Sequence, residues 1–319
     1  MTDETQQIPE HEHVPPDEQS FVERHNIHPI IFALGCLFVV FLLYQVVAGT
    51  VTVIAMGDTM ITRDNVFITR LLTMVGQVLF IFLPTVFFAR LLSVRLASVF
   101  QWRVPSLRET IFGLLGLVWL QQIFQAYLYF QERIPLPDAL KQLIDPIKQM
   151  MEEMFKGLVS AESMPELAFV LLVVAFVPAV VEELLFRGVI QNTFERMVSP
   201  LRAALITGVI FGMFHFNPFA VLPLIGLGCY FGMLKMRSQS IILPMTAHFI
   251  NNALAVVVAY FGMDDEALVS MGTSAEPSSS VVIVQLILFV MLFGLSLLAY
   301  LRATAELSQT NSPGNNETP

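Results

Sequence analysis

Long apolar runs separated by short polar stretches make up the chain between residues 28 and 302. A helix of about 20 apolar residues is long enough to cross the hydrocarbon core of a membrane. The fifth and sixth of the predicted spans are short, and only Asn217 and Pro218 separate them. The predicted spans are 28–56, 69–99, 109–131, 166–190, 201–216, 218–235, 241–261 and 281–301, eight in all.

Residues 135–165, between the third and fourth spans, follow another pattern, because apolar positions recur there with the period of a helix and polar residues separate them. Such a segment is amphipathic, and we expect it to lie on the membrane surface. The residues that share its apolar side are Leu140, Leu143, Ile144, Ile147 and Met151.

Composition supports a membrane protein. Of the 319 residues, 55% are hydrophobic and 13% are charged, and the mean hydropathy is +0.69. Soluble domains carry about 25% charged residues. The predicted fold is therefore all-α, a polytopic bundle of about eight transmembrane helices within the lipid bilayer.

Polar segments flank this bundle. Residues 1–27 and 303–319 are predicted to be disordered tails, and they contribute most of the net charge of −9. An acidic chain of this kind gives no reason to expect nucleic-acid binding. Cys36 and Cys229 both fall inside apolar runs, where cysteine acts as a small hydrophobic residue.

The distribution of lysine and arginine predicts the orientation, because cytoplasmic loops are enriched in both residues. With the N-terminus in the cytoplasm, ten of these residues are placed on the inner side and six on the outer side. We therefore expect an integral protein of the cytoplasmic membrane with both termini in the cytoplasm.

The sequence VVEELLFRGV (180–189) brings three charges into the fourth span. Each costs about 2.5–3.5 kcal/mol at the centre of a membrane helix unless it is paired or hydrated. Glu183 and Arg187 stand four residues apart with the glutamate first, which is the favourable order for an ion pair. Glu182 is offset by about 100° around the helix and is left free for chemistry.

Two later spans carry further polar residues, His215 in GVIFGMFHFNP and His248 with Asn252 in PMTAHFINNAL. At 1.5 Å per residue, Glu182, His215 and Asn252 lie about 18–21 Å from the inner boundary, and His248 about 12 Å. Each has a structural explanation of its own, since Glu183–Arg187 can staple helices and His or Asn can hydrogen-bond between them. Their common depth nevertheless favours one functional site.

Three motifs resemble those of the CPBP (ABI) family of intramembrane proteases, which process CAAX proteins and bacteriocins. They are EExxxR at Glu182–Arg187, FxxxH at Phe211–His215 and HxxxN at His248–Asn252. They occur in the order of the family, and the resemblance covers about residues 165–262, which we treat as a catalytic core.

The resemblance implies an intramembrane endopeptidase similar to the type 2 CAAX prenyl endopeptidase. Its substrate would be a membrane-associated protein or peptide, for instance a prenylated CAAX protein. Carried over, Glu182 and His215 activate a water molecule, and His248 and Asn252 hold the oxyanion. Supporting roles would fall to Glu183, Arg187 and Phe211.

Several alternatives remain open at the level of sequence. We favour a cofactor-free, glutamate-type mechanism, because the chain has no HExxH motif. Zinc held by Glu182, His215 and His248 is the metal-dependent alternative. A non-catalytic immunity or scaffold protein of the same fold is the main functional alternative. A transporter is a third, although it would be expected to show inverted repeats, and none is evident.

Overall fold

The computed structural model describes residues 19–57, 61–262 and 278–305. Helices occupy most of these residues, which agrees with the all-α prediction. In chain order they are α1 (Phe21–Arg24), α2 (Pro29–Met56), α3 (Val66–Leu92), α4 (Leu96–Phe100), α5 (Leu107–Glu132), α6 (Asp138–Val159), α7 (Met164–Glu195), α8 (Pro200–Phe214), α9 (Val221–Ser238), α10 (Ile242–Tyr260) and α11 (Ser279–Ala303).

Six of these helices are long and apolar enough to cross a membrane: α2, α3, α5, α7, α10 and α11. The predicted fifth and sixth spans correspond to α8 and α9, which fall below this measure of length and composition. Helix α8 has 15 residues, about 22 Å at 1.5 Å per residue, which is shorter than the hydrocarbon core. Helix α9 has 18 residues, and Lys235 and Arg237 occupy its last turn. Both helices are nevertheless packed within the bundle.

Close packing of α8 on α9 depends on glycine. A Cβ added at Gly208 would meet the backbone of Cys229, and one added at Gly228 would lie 2.6 Å from the carbonyl oxygen of Gly208. Larger side chains would therefore force the two helices apart. Small residues at the interface of two membrane helices permit such a close approach.

Helix α7 is the central helix of the bundle. Within its most apolar stretch 61% is buried, whereas no other candidate span exceeds 28%. Two segments of α7, Leu171–Phe176 and Leu184–Gln191, are wound more widely, as π-helix. Such turns frequently occur at functional sites. Every residue of Leu184–Gln191 is buried, so this part of α7 is surrounded by protein.

The amphipathic segment forms α6, as the apolar pattern predicts. Arg70 of α3 holds its C-terminal end, since the guanidinium donates to the carbonyl oxygens of Leu158 at 3.0 Å and Gly157 at 3.1 Å. Near the middle of α6, the Lys148 amine donates to Glu132 at 2.9 Å. That bond raises the pKa of Lys148. Helix α6 is therefore attached to α3 and α5 at separate points.

The predicted tails lie mostly outside the described residues, which begin at 19 and end at 305. Part of the segment predicted as a disordered tail is helical, because α1 starts at Phe21. Ser20 and Glu23 form a capping box at the start of α1. The side chain of Glu23 also lies 3.3 Å from Arg196, which follows α7. Ordered structure thus begins before residue 28.

Candidate active site

The ion pair predicted between Glu183 and Arg187 is present and completely buried. The two side chains lie 2.9 Å apart, and neither is exposed. Arg187 also donates to the carbonyl oxygen of Gly228 at 2.8 Å, and its guanidinium lies 4.7 Å from the ring centre of Phe211. The charge of Arg187 is therefore balanced by a carboxylate, a backbone dipole and an aromatic face.

His248 shares the same carboxylate, a contact that the sequence did not predict. Its Nδ1 lies 2.9 Å from Oε1 of Glu183. The ring of Phe231 stacks on the imidazole with centroids 5.2 Å apart. Glu183 thus orients His248 as well as neutralising Arg187, and the Nε2 of His248 remains available to the neighbouring cavity.

Glu182 and His215 face each other without a direct hydrogen bond. Their Oε2 and Nε2 atoms are 3.8 Å apart. The Nδ1 of His215 lies 2.8 Å from the carbonyl oxygen of Phe211, which can only accept, so this nitrogen carries the proton. In the neutral ring, Nε2 is therefore an acceptor directed towards Glu182. Oε2 of Glu182 is buried and has no hydrogen-bond partner among the described residues.

Asn252 is positioned by a backbone carbonyl group of α7. The carbonyl is that of Val174, which lies in the widely wound segment Leu171–Phe176 of that helix. The Nδ2 of Asn252 donates to this carbonyl at 3.1 Å. Asn251 donates to the side-chain oxygen of Asn252 at 3.1 Å, and Gln121 of α5 donates to Asn251. An amide chain from α5 through α10 to α7 therefore fixes Asn252.

A cavity of about 590 Å³ brings these groups together. Phe211 packs at its wall against both histidines, with centroids 4.6 Å from His215 and 5.7 Å from His248. The cavity is polar on the side of α7 and α10 and apolar on the side of α6. The predicted site residues that line it are Glu182, Phe211, His215, His248 and Asn252.

The geometry does not fit a zinc site. Within the described part of the chain, no three His, Cys, Asp or Glu side chains come together in a way that could hold a metal ion. Glu182 and His215 approach each other, but the Nδ1 of His248 is directed to Glu183.

Two side chains of this site were not predicted from the sequence, Gln121 and Phe231. Gln121 gave a usable signal, since a glutamine in the apolar run of α5 needs a hydrogen-bond partner. Phe231 gave none, because a phenylalanine in a membrane helix is ordinary. Its contact with His248 depends on how α9 packs against α10.

Comparison with known proteins gives one match, to this part of the chain. Residues 164–254 match the model of a family described as type II CAAX prenyl endopeptidase Rce1-like. This segment is therefore similar to the domain of that family. The match supports assignment to the CPBP family of CAAX proteases and agrees with the resemblance carried by the three motifs. No curated protein and no solved structure matched the chain.

The matched segment includes α7 to α9 and most of α10, and covers under a third of the chain. All three motifs lie within it. Helix α6 and Gln121 lie outside it but contribute to the same cavity or to its hydrogen-bond network.

Proposed function

We propose that this protein is an intramembrane endopeptidase that hydrolyses peptide bonds of membrane-associated substrates with a water molecule activated by Glu182 and His215. One observation carries the proposal. The Oε2 atom of Glu182 is a buried acceptor with no partner among the described residues, and it lies 3.8 Å from a second acceptor, the Nε2 of His215. Both residues line the cavity.

A water molecule fits between these two acceptors. Hydrogen bonds of about 2.8 Å to both atoms are compatible with the observed separation and satisfy the carboxylate of Glu182. Both protons of the water are then directed at Glu182 and His215, and its lone pairs are directed away from them. Glu182 takes one proton as the oxygen attacks the peptide carbonyl, and the proton passes to the leaving amine.

Asn252 and His248 are the proposed donors to the oxyanion. Only one of the two N–H groups on the Nδ2 of Asn252 is used by Val174, so the other can donate. The Nδ1 proton of His248 is directed to Glu183, so its Nε2 donates only when the ring carries a second proton. Donors of this kind typically contribute about 10²–10³ in rate each.

The buried charges are balanced in this state. Arg187 and a protonated His248 carry two positive charges, and Glu182 and Glu183 carry two negative charges. A neutral cluster avoids the large cost of an uncompensated charge within a membrane. In this scheme Glu183 and Arg187 position His248 and do not contact the substrate.

Replacement of Glu182 by Gln tests this mechanism. Protein termini would be compared in membranes from cells that express wild-type or Glu182→Gln protein at equal levels, with Glu152→Gln on the outer part of α6 as the control. We expect new termini with the wild type and the control and a loss of at least about 10³-fold with Glu182→Gln.

Cleavage that persists in a folded Glu182→Gln protein would refute the proposal. Identical profiles in all three, together with rescue of a deletion phenotype by Glu182→Gln, would favour the scaffold alternative. The proposed mechanism needs no metal ion. Tightly bound stoichiometric zinc in active protein, lost together with activity on chelation, would contradict that part.

A further inference from the structure

The cavity extends from the site towards one end of the helix bundle. Helix α6 lines it with Met151, Met154, Phe155 and Leu158, and the connection between α8 and α9 lines it with Asn217 and Ala220. We call this end of the bundle the mouth end. Arg70 holds α6 there, and Gln131 at the end of α5 donates to the carbonyl oxygen of Phe219 at 2.9 Å.

The opposite end contains the N- and C-terminal parts of the described chain, and we call it the terminal end. Arg196, after α7, lies 3.3 Å from Glu23 near the start of the chain. Arg237, at the end of α9, donates to the carbonyl oxygen of Leu301 in α11 at 3.0 Å. The connection before α5 belongs to the same end, because Arg103 donates to the carbonyl oxygen of Ser238 at 2.7 Å.

The site is closed towards the terminal end. The eight residues Leu184–Gln191 continue α7 in that direction from the site, and all are buried. Phe186 packs edge-on against Phe211 with centroids 5.2 Å apart. The connections at the terminal end contribute no residue to the cavity lining. A peptide therefore has a route to Glu182 from the mouth end and meets packed side chains from the other.

The apolar side of α6 continues from outside the bundle into the cavity. At 100° per residue, Leu140, Leu143 and Ile147 share this side with Met154 and Leu158. The first three are between 45% and 68% exposed. The last two line the cavity. One apolar surface thus connects an exposed part of α6 with the wall of the site.

Charge indicates which side of the membrane each end faces. Ten lysine and arginine residues lie in or next to the terminal end, and six in or next to the mouth end. Cytoplasmic segments are enriched in these residues. The terminal-end residues are Arg24, Arg90, Arg95, Arg103, Arg108, Arg196, Arg202, Lys235, Arg237 and Arg302, and the mouth-end residues are Arg63, Arg70, Arg133, Lys141, Lys148 and Lys156.

We propose that the site receives its substrate from the non-cytoplasmic side of the membrane, along the apolar side of α6. This inference rests on the proposed peptidase function. The substrate class is a peptide inserted in or tethered to the outer leaflet, with an apolar residue near the scissile bond that packs on Met154 and Leu158. The C-terminus of a cytoplasmic protein has no route to Glu182 in this arrangement.

Labelling of single cysteines tests the access route without any need for activity. In a chain with Cys36 and Cys229 replaced by Ala, single cysteines would be introduced as Glu153→Cys on the outside of α6, Met154→Cys in the cavity and Arg108→Cys at the terminal end. A charged, membrane-impermeant maleimide would be added to sealed right-side-out and inside-out membrane vesicles.

We expect Glu153→Cys and Met154→Cys to react at least about tenfold faster in right-side-out vesicles and Arg108→Cys to react at least about tenfold faster in inside-out vesicles. Faster reaction of Glu153→Cys in inside-out vesicles would overturn the proposed orientation. Failure of Met154→Cys to react in right-side-out vesicles, where Glu153→Cys does react, would overturn the proposed opening. Both outcomes are independent of cleavage, which the Glu182→Gln comparison measures.

Discussion

Arg187 in α7 and Arg70 in α3 are both almost completely buried, but their charges are balanced in different ways. The partner of Arg187 is Glu183, one helical turn earlier and equally buried. The partner of Arg70 is Glu166, at 2.7 Å, which is 96 residues away in the chain and partly exposed. Arg70 also binds backbone carbonyl groups at the end of α6.

Arg187 therefore supports the site itself, whereas Arg70 holds α6, the helix that lies over the site. Arg187 neutralises a carboxylate that also orients His248. Among the described hydrogen-bond partners of Arg70, Leu158 lines the cavity, and the bond is to its backbone carbonyl. A local pair can form as soon as α7 is helical, whereas the contacts of Arg70 require α3, α6 and α7 to be assembled.

The largest effect is expected for Arg187→Met. This change leaves Glu183 buried with His248 as its remaining ionisable partner among the described residues, and breaking a buried pair from one side costs about 3–5 kcal/mol. The measurement is the free energy of unfolding in mixed micelles. In the double variant Glu183→Gln/Arg187→Met we expect recovery of at least about 1 kcal/mol, since no isolated charge remains. A double variant less stable than Arg187→Met would contradict this account.

A smaller, more local effect is expected for Arg70→Met. Water can reach Glu166 and the end of α6 when the guanidinium is removed, so we expect a loss of about 1–3 kcal/mol. Hydrogen exchange should accelerate in α6 and remain slow in α7. The matched control is Arg63→Met, because Arg63 and Glu162 form a solvent-exposed pair, worth at most about 1 kcal/mol. Equal exchange in the two variants would refute a holding role for Arg70.

The smallest change in stability is expected for Gln121→Leu, at most about 1 kcal/mol. It removes the donor to Asn251 and loosens Asn252, which is proposed to act on the transition state. We therefore expect kcat to fall about tenfold with little change in KM. Gln122→Leu is the control, since among the described hydrogen bonds it is Gln121, and not Gln122, that donates to Asn251. A higher KM at unchanged kcat would show that Gln121 acts on substrate binding instead.

The neighbouring residues Glu182 and Glu183 show which features of the site could be predicted from the sequence and which could not. Their separation into a paired and a free carboxylate was predicted from helical spacing, and the structure has this arrangement. That His248 binds Glu183 was not predictable, because it depends on the rotation of α10 against α7. The apolar runs predicted eight spans, and six helices of the described chain are long and apolar enough to cross a membrane, because the length of a run does not reveal where a helix such as α8 begins and ends.

The sequence by itself determined the helical membrane class, the amphipathic character of α6 and the Glu183–Arg187 pair. These features depend on composition and on residues within one or two helical turns. Tertiary structure decided that Asn252 binds the carbonyl of Val174, that Gln121 joins the amide network and that α6 lies over the site. These contacts join residues between 78 and 130 positions apart in the chain, and packing of whole helices determines which of them meet.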